Sequence, residues 1–290
     1  MRSLRTLILA ALVATFVLCL PIMIMAHPHI LDVAGEAEIS PEDLLGDLRR
    51  AQVIFMGEFH NHAGHHSAQL AVIDALDDDE RPLAIGLEMF RNENQADLDR
   101  WTGKETPLLE FLTVYNDNWS MWPMYREIFL HARDQGVKML GLNIPRSITS
   151  KVARNGFQSL PEEDRQALGN VECLVSPFYS DYIRRAMGGY GGHGDQYRYF
   201  CEAQLLWDTM MAHNLVEFLR ENPDYRVVVL AGSGHAWKFG IPRQMLKEAQ
   251  ISYRVLLPEV FTRVDRINVN IEIADYLWLD VGADGWTFSN

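Results

Sequence analysis

Four of the ten histidines in this 290-residue chain lie within seven positions, at His60, His62, His65 and His66. The cluster follows residues 53–56, an apolar run that is typical of a buried strand. Imidazole titrates near neutral pH and is the commonest metal ligand in proteins, so the cluster indicates acid–base chemistry or metal binding. A helix start that merely carries polar residues is the alternative interpretation of this segment.

Similar apolar runs recur along the chain, at residues 53–56, 83–87, 137–142, 226–230 and 253–257, and residues 276–280 could add an edge strand. Near-continuous Val, Ile and Leu favours parallel strands that are covered on both faces. Helical patterns lie between the runs, so we predict an α/β fold with a mostly parallel central sheet flanked by helices. Two long helical insertions interrupt it: a first insertion at about residues 91–135 and a second insertion at about 145–224. We expect them to form a lid or lobe over the sheet.

Chemically useful residues follow the ends of these predicted strands. Because parallel strands bring their carboxyl ends to one edge of a sheet, these residues should meet in one cleft. The candidate cleft residues are Glu58, His60, Glu88, Arg146 and His235. Two carboxylates, two imidazoles and a guanidinium suit acid–base catalysis or anion capture. Simpler roles remain open, with Glu88 as an ion-pair partner of Arg146 and His235 as a helix cap.

Four histidines are candidate ligands for a divalent metal: His60, His62, His66 and His235. His62 and His66 are four positions apart, so on a helix they would share a face and form a two-point clamp. Alternatively, they are solvated residues at a helix start. A metal held by His60, His235 and a carboxylate would relieve repulsion between the cleft carboxylates and would lower the pKa of a bound water.

The first 26 residues differ from the rest of the chain. Arg2 and Arg5 precede an apolar run from residue 7 to residue 26, which predicts a signal peptide cleaved after Ala26 or a retained membrane anchor. Lipidation at Cys19 is a third option, although residues 16–18 lack the small residue that lipoprotein signals carry. All three predict export to the periplasm or to the membranes of the cell envelope. Residues 27–290 are then expected to form a single domain.

Composition and cysteine usage exclude several classes of protein. A formal net charge of −13 argues against nucleic acid as a partner, because such binding needs basic patches. The absence of a Cys-x-x-Cys motif argues against thiolate zinc sites and thioredoxin-type chemistry. Cys173 and Cys201 remain after the N-terminal segment, and they could form a disulfide or stay as two buried thiols.

A glycine-rich stretch at residues 188–194 interrupts the second insertion and contains Tyr190 and His193. Tyrosinate and imidazole are both known axial ligands of haem iron, so Tyr190 and His193 are candidate haem contacts. A flexible loop without a ligand is the alternative. The chain has no Cys-x-x-Cys-His motif, so covalent attachment of haem is not expected.

Five motifs in order resemble the ChaN-like haem-binding family. They are Gly57-Glu58-Phe59-His60 with His65-His66, Gly86-Leu87-Glu88-Met89, Asn143-Ile144-Pro145-Arg146, Ala203-Gln204-Leu-Leu-Trp207-Asp208-Thr-Met-Met211-Ala212 and Ala231-Gly232-Ser-Gly234-His235. The resemblance covers roughly residues 50–260. The family belongs to a superfamily that also includes Tiki-type metalloproteases and erythromycin-esterase-like hydrolases. The resemblance implies a bacterial envelope protein that holds haem at a homodimer interface, with a tyrosine on the iron. Tyr190, Tyr197 and Tyr199 are the candidates for that tyrosine.

The sequence therefore leaves two main functions open. One is a cell-envelope haem-binding protein in haem and iron acquisition, which binds haem through the helical lid at a dimer interface. The other is a metal-dependent hydrolase, an esterase or peptidase, that uses the Glu/His cleft at the strand ends. A scaffold that has lost its activity is a third possibility.

Overall fold

The computed structural model describes residues 29–77, 81–169, 171–173, 175, 177–186, 194–260, 264–279 and 281. The strands in these ranges are β1 (His29–Asp32), β2 (Ala37–Ile39), β3 (Val53–Glu58), β4 (Leu83–Arg91), β5 (Lys138–Asn143), β6 (Arg226–Gly232), β7 (Tyr253–Pro258) and β8 (Tyr276–Leu279). They form one sheet in the order β2-β1-β8-β7-β3-β6-β4-β5.

Strands β3 to β8 pair in parallel, whereas β1 is antiparallel to both β2 and β8. The predicted α/β class with a mostly parallel sheet is therefore confirmed. The prediction that residues 276–280 form an edge strand is wrong, because β8 lies between β7 and β1. The pairing of β1 with β8 covers that edge, and β1 is too short at four residues to stand out in the sequence.

The helices are α1 (Pro41–Leu48), α2 (Ala63–Asp77), α3 (Gln95–Thr102), α4 (Leu108–Asn118), α5 (Trp122–Gln135), α6 (Arg146–Asn155), α7 (Glu162–Leu168), α8 (Pro177–Ala186), α9 (Gly194–Glu221), α10 (Ser233–Ala236) and α11 (Ile241–Glu248). Short 3-10 turns occupy Asn92–Asn94 and Phe157–Ser159. Helices α3 to α5 follow β4, and helices α6 to α9 follow β5, so the two insertions are largely helical.

Both faces of the sheet are packed against apolar side chains, as the continuous hydrophobic runs require. In β3, Val53 and Phe55 join one buried cluster together with residues of α6, α9 and α11. Ile54 and Met56 join a second cluster on the opposite face, together with residues of α1 to α5. Alternate side chains of a strand point to opposite faces, so every residue of β3 is buried. The result is a sheet between two helical layers.

The order of the central strands decides which residues can meet. Strand β6 lies between β3 and β4, with Glu58 of β3 opposite Gly232 of β6 and Leu87 of β4 opposite Leu230. The ends of β3, β6 and β4 are therefore direct neighbours at one edge of the sheet. Residues that follow these three strands are brought within reach of each other.

A disulfide joins Cys173 and Cys201, whose Cα atoms are 5.6 Å apart. This settles the alternatives left open by the sequence in favour of the disulfide. The bond attaches the segment before α8 to the buried side of α9, across a sequence separation of 28 residues. It therefore closes a loop that contains Tyr190, His193 and Tyr197.

Within the described ranges, no helix has both the length and the apolar character that a membrane span requires. The predicted signal or anchor segment, residues 1–26, and the candidate lipidation site Cys19 lie outside those ranges.

Candidate functional site

Two carboxylates and two histidines meet where β3, β6 and β4 end. Glu58 is the last residue of β3 and Glu88 lies in β4, and both side chains are buried. His60 follows β3 by two positions, and His235 lies in α10 directly after β6. The structure therefore brings together the four residues Glu58, His60, Glu88 and His235.

Glu58 and His60 form the first carboxylate–imidazole pair. Nδ1 of His60 donates to Oε1 of Glu58 at 2.7 Å, and the hydroxyl of Tyr125 donates to the same oxygen. The amide of Gln69 donates to the other oxygen at 2.8 Å. Burial opposes the charged form of each partner, but their mutual contact outweighs it. The hydrogen bond from His60 and the nearby charge of His66 lower the pKa of Glu58, and the bond to Glu58 raises the pKa of His60.

This pairing fixes which nitrogen of His60 is available for chemistry. Nδ1 is occupied by Glu58, so Nε2 is the nitrogen that remains, and the side chain is 35% exposed. Nε2 has no hydrogen-bond partner among the residues that the structure describes. A carboxylate that orients an imidazole in this way is a recurring device of acid–base catalysis.

Asp208 and His235 form a second carboxylate–imidazole pair on the other side of Glu88. Nδ1 of His235 donates to Oδ1 of Asp208 at 2.6 Å, and the hydroxyl of Tyr179 donates to Oδ2 at 2.7 Å. Nε2 of His235 lies 3.7 Å from Oε1 of Glu88. Burial disfavours the imidazolium, but the charges of Glu88 and Asp208 outweigh it and raise the pKa of His235 to about 9.

Gly232 lets the two pairs approach each other. Its backbone N–H donates to Oε2 of Glu88 at 2.6 Å. A Cβ at this position would lie 3.2 Å from Nε2 of His60 and 3.6 Å from Oε2 of Glu88. The imidazole of His60 therefore rests directly against the backbone of β6, which a side chain on Gly232 would disturb.

Two tryptophans stand edge-on to the two imidazoles. Trp119, which follows α4, has its ring centroid 5.0 Å from that of His60 at an interplanar angle of 76°. Trp207 of α9 lies 5.8 Å from His235 at 89°. The two insertions thus each supply an aromatic wall beside the strand ends.

The other histidines of the cluster have different surroundings from those predicted. His62 precedes α2, and its ring stacks on His65 with centroids 4.0 Å apart, so it does not share a helical face with His66. His66 is buried, and its Nε2 donates to the carbonyl of His60 at 3.0 Å while Nδ1 faces Oε1 of Gln69 at 3.1 Å. Both nitrogens are already in contact with protein oxygens, so a metal could bind His66 only by displacing one of these contacts. The shared helical face that the predicted two-point clamp requires is not formed, so the clamp is unsupported.

His65 is also buried and has a structural contact. Its Nδ1 accepts a hydrogen bond from the backbone N–H of Phe59 at 2.9 Å. Burial, together with the nearby His62 and His66, lowers the pKa of His65 to about 3. The ring is therefore neutral at pH 7 and fixes the turn that leads from β3 into α2.

No group of three or more His, Cys, Asp or Glu side chains in the described ranges is arranged to hold a metal ion. The divalent metal predicted at His60, His62, His66 and His235 is thus unsupported. For the two cleft histidines, His60 and His235, the reason is geometric. Each already donates Nδ1–H to a carboxylate, so only the two Nε2 atoms could bind a metal.

Arg146 is the first residue of α6, and its side chain is exposed. It does not pair with Glu88, which binds the N–H of Gly232 and faces His235 instead. The neighbouring Asn143 also has a structural contact, because its amide donates to the backbone carbonyl of Glu88 at 2.8 Å. A role for Arg146 at the rim of the cleft stays a prediction.

Among the candidate haem contacts, Tyr190 and His193 lie outside the described residues. Tyr197 is half-buried in α9, and its hydroxyl donates to Oγ of Ser180 at 2.6 Å. The guanidinium of Arg184 lies 5.4 Å from the centre of the Tyr197 ring. Tyr197 is therefore held between α8 and α9, apart from the contacts of the Glu/His cleft.

Reasoning from the residues gave no role to Asp208, Tyr125 and Gln69. Asp208 did carry a signal, since it is the one charged residue between positions 203 and 212, in an otherwise mostly apolar helical stretch. A buried acid needs a partner, and His235 supplies it. Tyr125 and Gln69 lie on amphipathic helices, where spacing alone does not show which polar residue turns inward.

This is therefore an α/β protein that carries two carboxylate–imidazole pairs at the ends of the central strands of a mostly parallel sheet. The family model described as haem-binding uptake, Tiki superfamily, ChaN matches residues 44–245, and the chain belongs to this family.

ChaN of Campylobacter jejuni, solved as a structure of cofacial heme binding, is similar to the chain at 21% identity with a TM-score of 0.68. The match covers 87% of this chain and 96% of that one. An erythromycin esterase, EreC, in its open conformation, shows 14% identity and a TM-score of 0.47 over 75% of this chain and 72% of its own. No curated protein sequence matches the chain. The ChaN likeness supports the fold.

Proposed function

We propose that this protein binds haem in the bacterial cell envelope and serves haem and iron acquisition. The observation that carries the proposal is the match of the haem-binding uptake family over residues 44–245. Export by the N-terminal segment, residues 1–26, places the protein in the periplasm or on a membrane of the envelope. Residues 27–290 act as a single domain in this proposal.

The second insertion is the proposed haem-binding part, at an interface between two copies of the chain. Haem iron accepts a phenolate ligand, and Tyr197 offers a phenol with the Arg184 guanidinium beside its ring. Tyr190 and His193 lie in the same disulfide-closed loop. When bound, haem would supply its iron and two propionates, and this chain would supply the ligand, an apolar surface and cations.

A hemin titration followed by absorption spectroscopy tests haem binding. We expect a shifted Soret band for the wild type. The band should weaken in the Tyr190→Phe/His193→Ala double variant or in Tyr197→Phe, depending on which residue contacts haem. Tyr225→Phe, outside the loop, is the matched control. No shift in the wild type would refute the proposed function, and an unchanged spectrum in both test variants would refute the ligand assignment.

Mass spectrometry of protein from membrane and periplasmic fractions tests export. A chain that begins at His27 supports a cleaved signal, and a lipid on Cys19 supports anchoring. Retention of the whole N-terminal segment in a membrane fraction supports the anchor. An intact chain in the cytosol contradicts export. Sedimentation of the protein with and without hemin measures the proposed homodimer directly.

We also propose a second candidate function, hydrolysis of an ester or peptide at the strand ends. The observation that favours it is the meeting of the two carboxylate–imidazole pairs beside Glu88. His60, oriented by Glu58, presents Nε2 as the base that takes a proton from water. His235, whose pKa is about 9, is protonated at pH 7 and can donate a hydrogen bond to a developing oxyanion or a proton to a leaving group.

A screen with p-nitrophenyl acetate and a set of fluorogenic peptides tests this second function. We expect His60→Gln and His235→Gln each to lower turnover by about 100-fold, a usual size for loss of an acid or base. His213→Gln, a half-exposed histidine paired with Glu248, is the matched control. Wild-type turnover that equals His60→Gln turnover would rule out the hydrolase and leave haem binding untouched.

A further inference from the structure

A cavity of about 330 Å³ lies between the start of the second insertion's disulfide loop and helix α11. Its lining includes none of Glu58, His60, Glu88 and His235. Tyr179 lines it with its ring while its hydroxyl binds Asp208. The cavity is therefore a neighbour of the Glu/His cleft rather than part of it, and its volume is at the lower end for small-molecule pockets, about 300 Å³.

Two cations of one helix face this cavity. Arg243 and Lys247 are one turn apart on α11, and both line the cavity. The Arg243 guanidinium lies 5.8 Å from the centre of the Phe239 ring, and Nζ of Lys247 donates to Oε1 of Gln244 at 2.7 Å. No carboxylate in the described ranges forms an ion pair with either. Both side chains are exposed, and like charges at this spacing destabilise a helix by about 0.2–0.5 kcal/mol, a repulsion that an anion between them would relieve.

Charge and lining define the chemistry of that anion. The lining also holds one carboxylate, Glu172, so its formal charge is +1 in a chain of net charge −13. The walls include the apolar side chains of Leu205 and Phe239. Burial and the charge of Arg243 lower the pKa of Lys247, which an anion between the two cations would reverse. A single carboxylate on an apolar arm matches these features.

We propose that this cavity is a carboxylate-binding site in which Arg243 and Lys247 hold the carboxylate and the apolar walls hold the arm that carries it. A guanidinium binds a carboxylate through two parallel hydrogen bonds, and the ammonium adds a third. Two sources share this chemistry: a propionate of haem, or a free small carboxylate. The cavity borders the disulfide loop, so the haem source rests on the proposed function, whereas the free carboxylate does not.

Calorimetric titration of the full chain with 3-phenylpropionate tests whether a free carboxylate binds in the cavity. We expect saturable binding to the wild type and at least about tenfold weaker binding of the neutral methyl ester, because a charge-assisted pair is lost. The double variant Arg243→Gln/Lys247→Gln should show the same loss. Arg220→Gln, which removes an exposed helical arginine away from the cavity, should bind as the wild type does. Thermal melts confirm that each variant is folded.

Titrations with hemin and with hemin dimethyl ester, followed at the Soret band, test whether a haem propionate binds in the cavity. If a propionate occupies the cavity, the double variant should bind hemin at least about tenfold more weakly, and the wild type should show the same loss for the dimethyl ester. If a free carboxylate is the ligand, hemin affinity should be equal in both proteins while 3-phenylpropionate binding still depends on the two cations.

The proposal is overturned when 3-phenylpropionate does not bind the wild type and the double variant binds hemin as the wild type does. Equal binding of 3-phenylpropionate and its methyl ester, with equal hemin affinities, overturns it too. A wild type without any Soret shift would refute haem binding, and the calorimetric result would then decide the carboxylate site alone.

Discussion

Nδ1 of His235 lies 2.6 Å from Oδ1 of Asp208, and this bond joins the end of a central strand to the second insertion. Both side chains are buried, and Tyr179 from the disulfide loop donates to the other oxygen of Asp208 at 2.7 Å. The same contact thus fixes the orientation of a cleft imidazole and attaches the insertion to the sheet. A change here should be seen both in stability and in the titration of His235.

Asp208→Asn should lower the pKa of His235 from about 9, because only the charge of Glu88 then opposes the effect of burial. It should also destabilise the fold by roughly 3 kcal/mol, the usual cost of breaking a buried pair. NMR titration of the histidine ring and urea unfolding measure the two effects. The exposed Asp134→Asn is the control, and an unchanged His235 titration would contradict the assigned pairing.

The Asp208–His235 pair also makes the free energy of unfolding depend on pH on the alkaline side of neutrality. The folded pKa of His235 lies above the unfolded value, so its contribution is complete below pH 6.5 and is lost as pH rises towards 9. Wild-type unfolding free energy should therefore fall over this window more steeply than that of Asp208→Asn. Parallel slopes for the two proteins would contradict the prediction.

Glu58→Gln should act in the opposite pH range. The pKa of Glu58 lies below its ordinary 4.5, so its contribution is present above pH 4.5 and is lost as pH falls through the folded value. At pH 7 the variant should be about 3 kcal/mol less stable, because the buried donors of His60, Gln69 and Tyr125 lose their carboxylate acceptor. Between pH 4.5 and acid unfolding, its stability should change less than that of the wild type or of the exposed control Glu110→Gln.

Gly232→Ala should displace the His60 ring while leaving most of the fold intact. The added Cβ would lie 3.1 Å from Cε1 and 3.2 Å from Nε2 of His60, closer than ordinary contact. We expect a shifted His60 resonance, a loss of about 1 kcal/mol of stability and, if the cleft is catalytic, at least tenfold slower turnover. Gly46→Ala in α1, where a Cβ meets nothing within 4 Å, should be neutral or slightly stabilising. An unchanged His60 resonance would contradict the close contact.

Cys173→Ser/Cys201→Ser should destabilise the protein by about 3 kcal/mol, since the bond closes a long loop in the unfolded chain. In urea unfolding, the wild type under reducing conditions should be as stable as the double-serine variant without reductant. If hemin contacts this loop, both should also bind hemin more weakly. A reductant without effect on the wild type would show that the bond adds no stability.

The sheet could be predicted from sequence because its strands are continuous apolar runs, as at residues 53–56, and such runs need cover on both faces. The four cleft residues could be predicted because each lies within a few positions of the end of an apolar run. The strand order could not, since nothing within β3 or β4 specifies that β6 lies between them. The surroundings of His62 and His66 were not predicted, because their four-residue spacing was interpreted as if both lay on one helix. Helix α2 begins at Ala63, after His62.

The position of β6 between β3 and β4 has a consequence for how the chain folds. Strand β3 hydrogen-bonds only to β6 and β7 in this sheet, and both are encoded more than 160 residues after it. On the ribosome, the backbone of β3 therefore lacks its strand partners until residue 226 and beyond have been made, whereas β4 and β5 can pair earlier. Distant pairing of this kind slows folding and prolongs the time during which apolar surface is exposed.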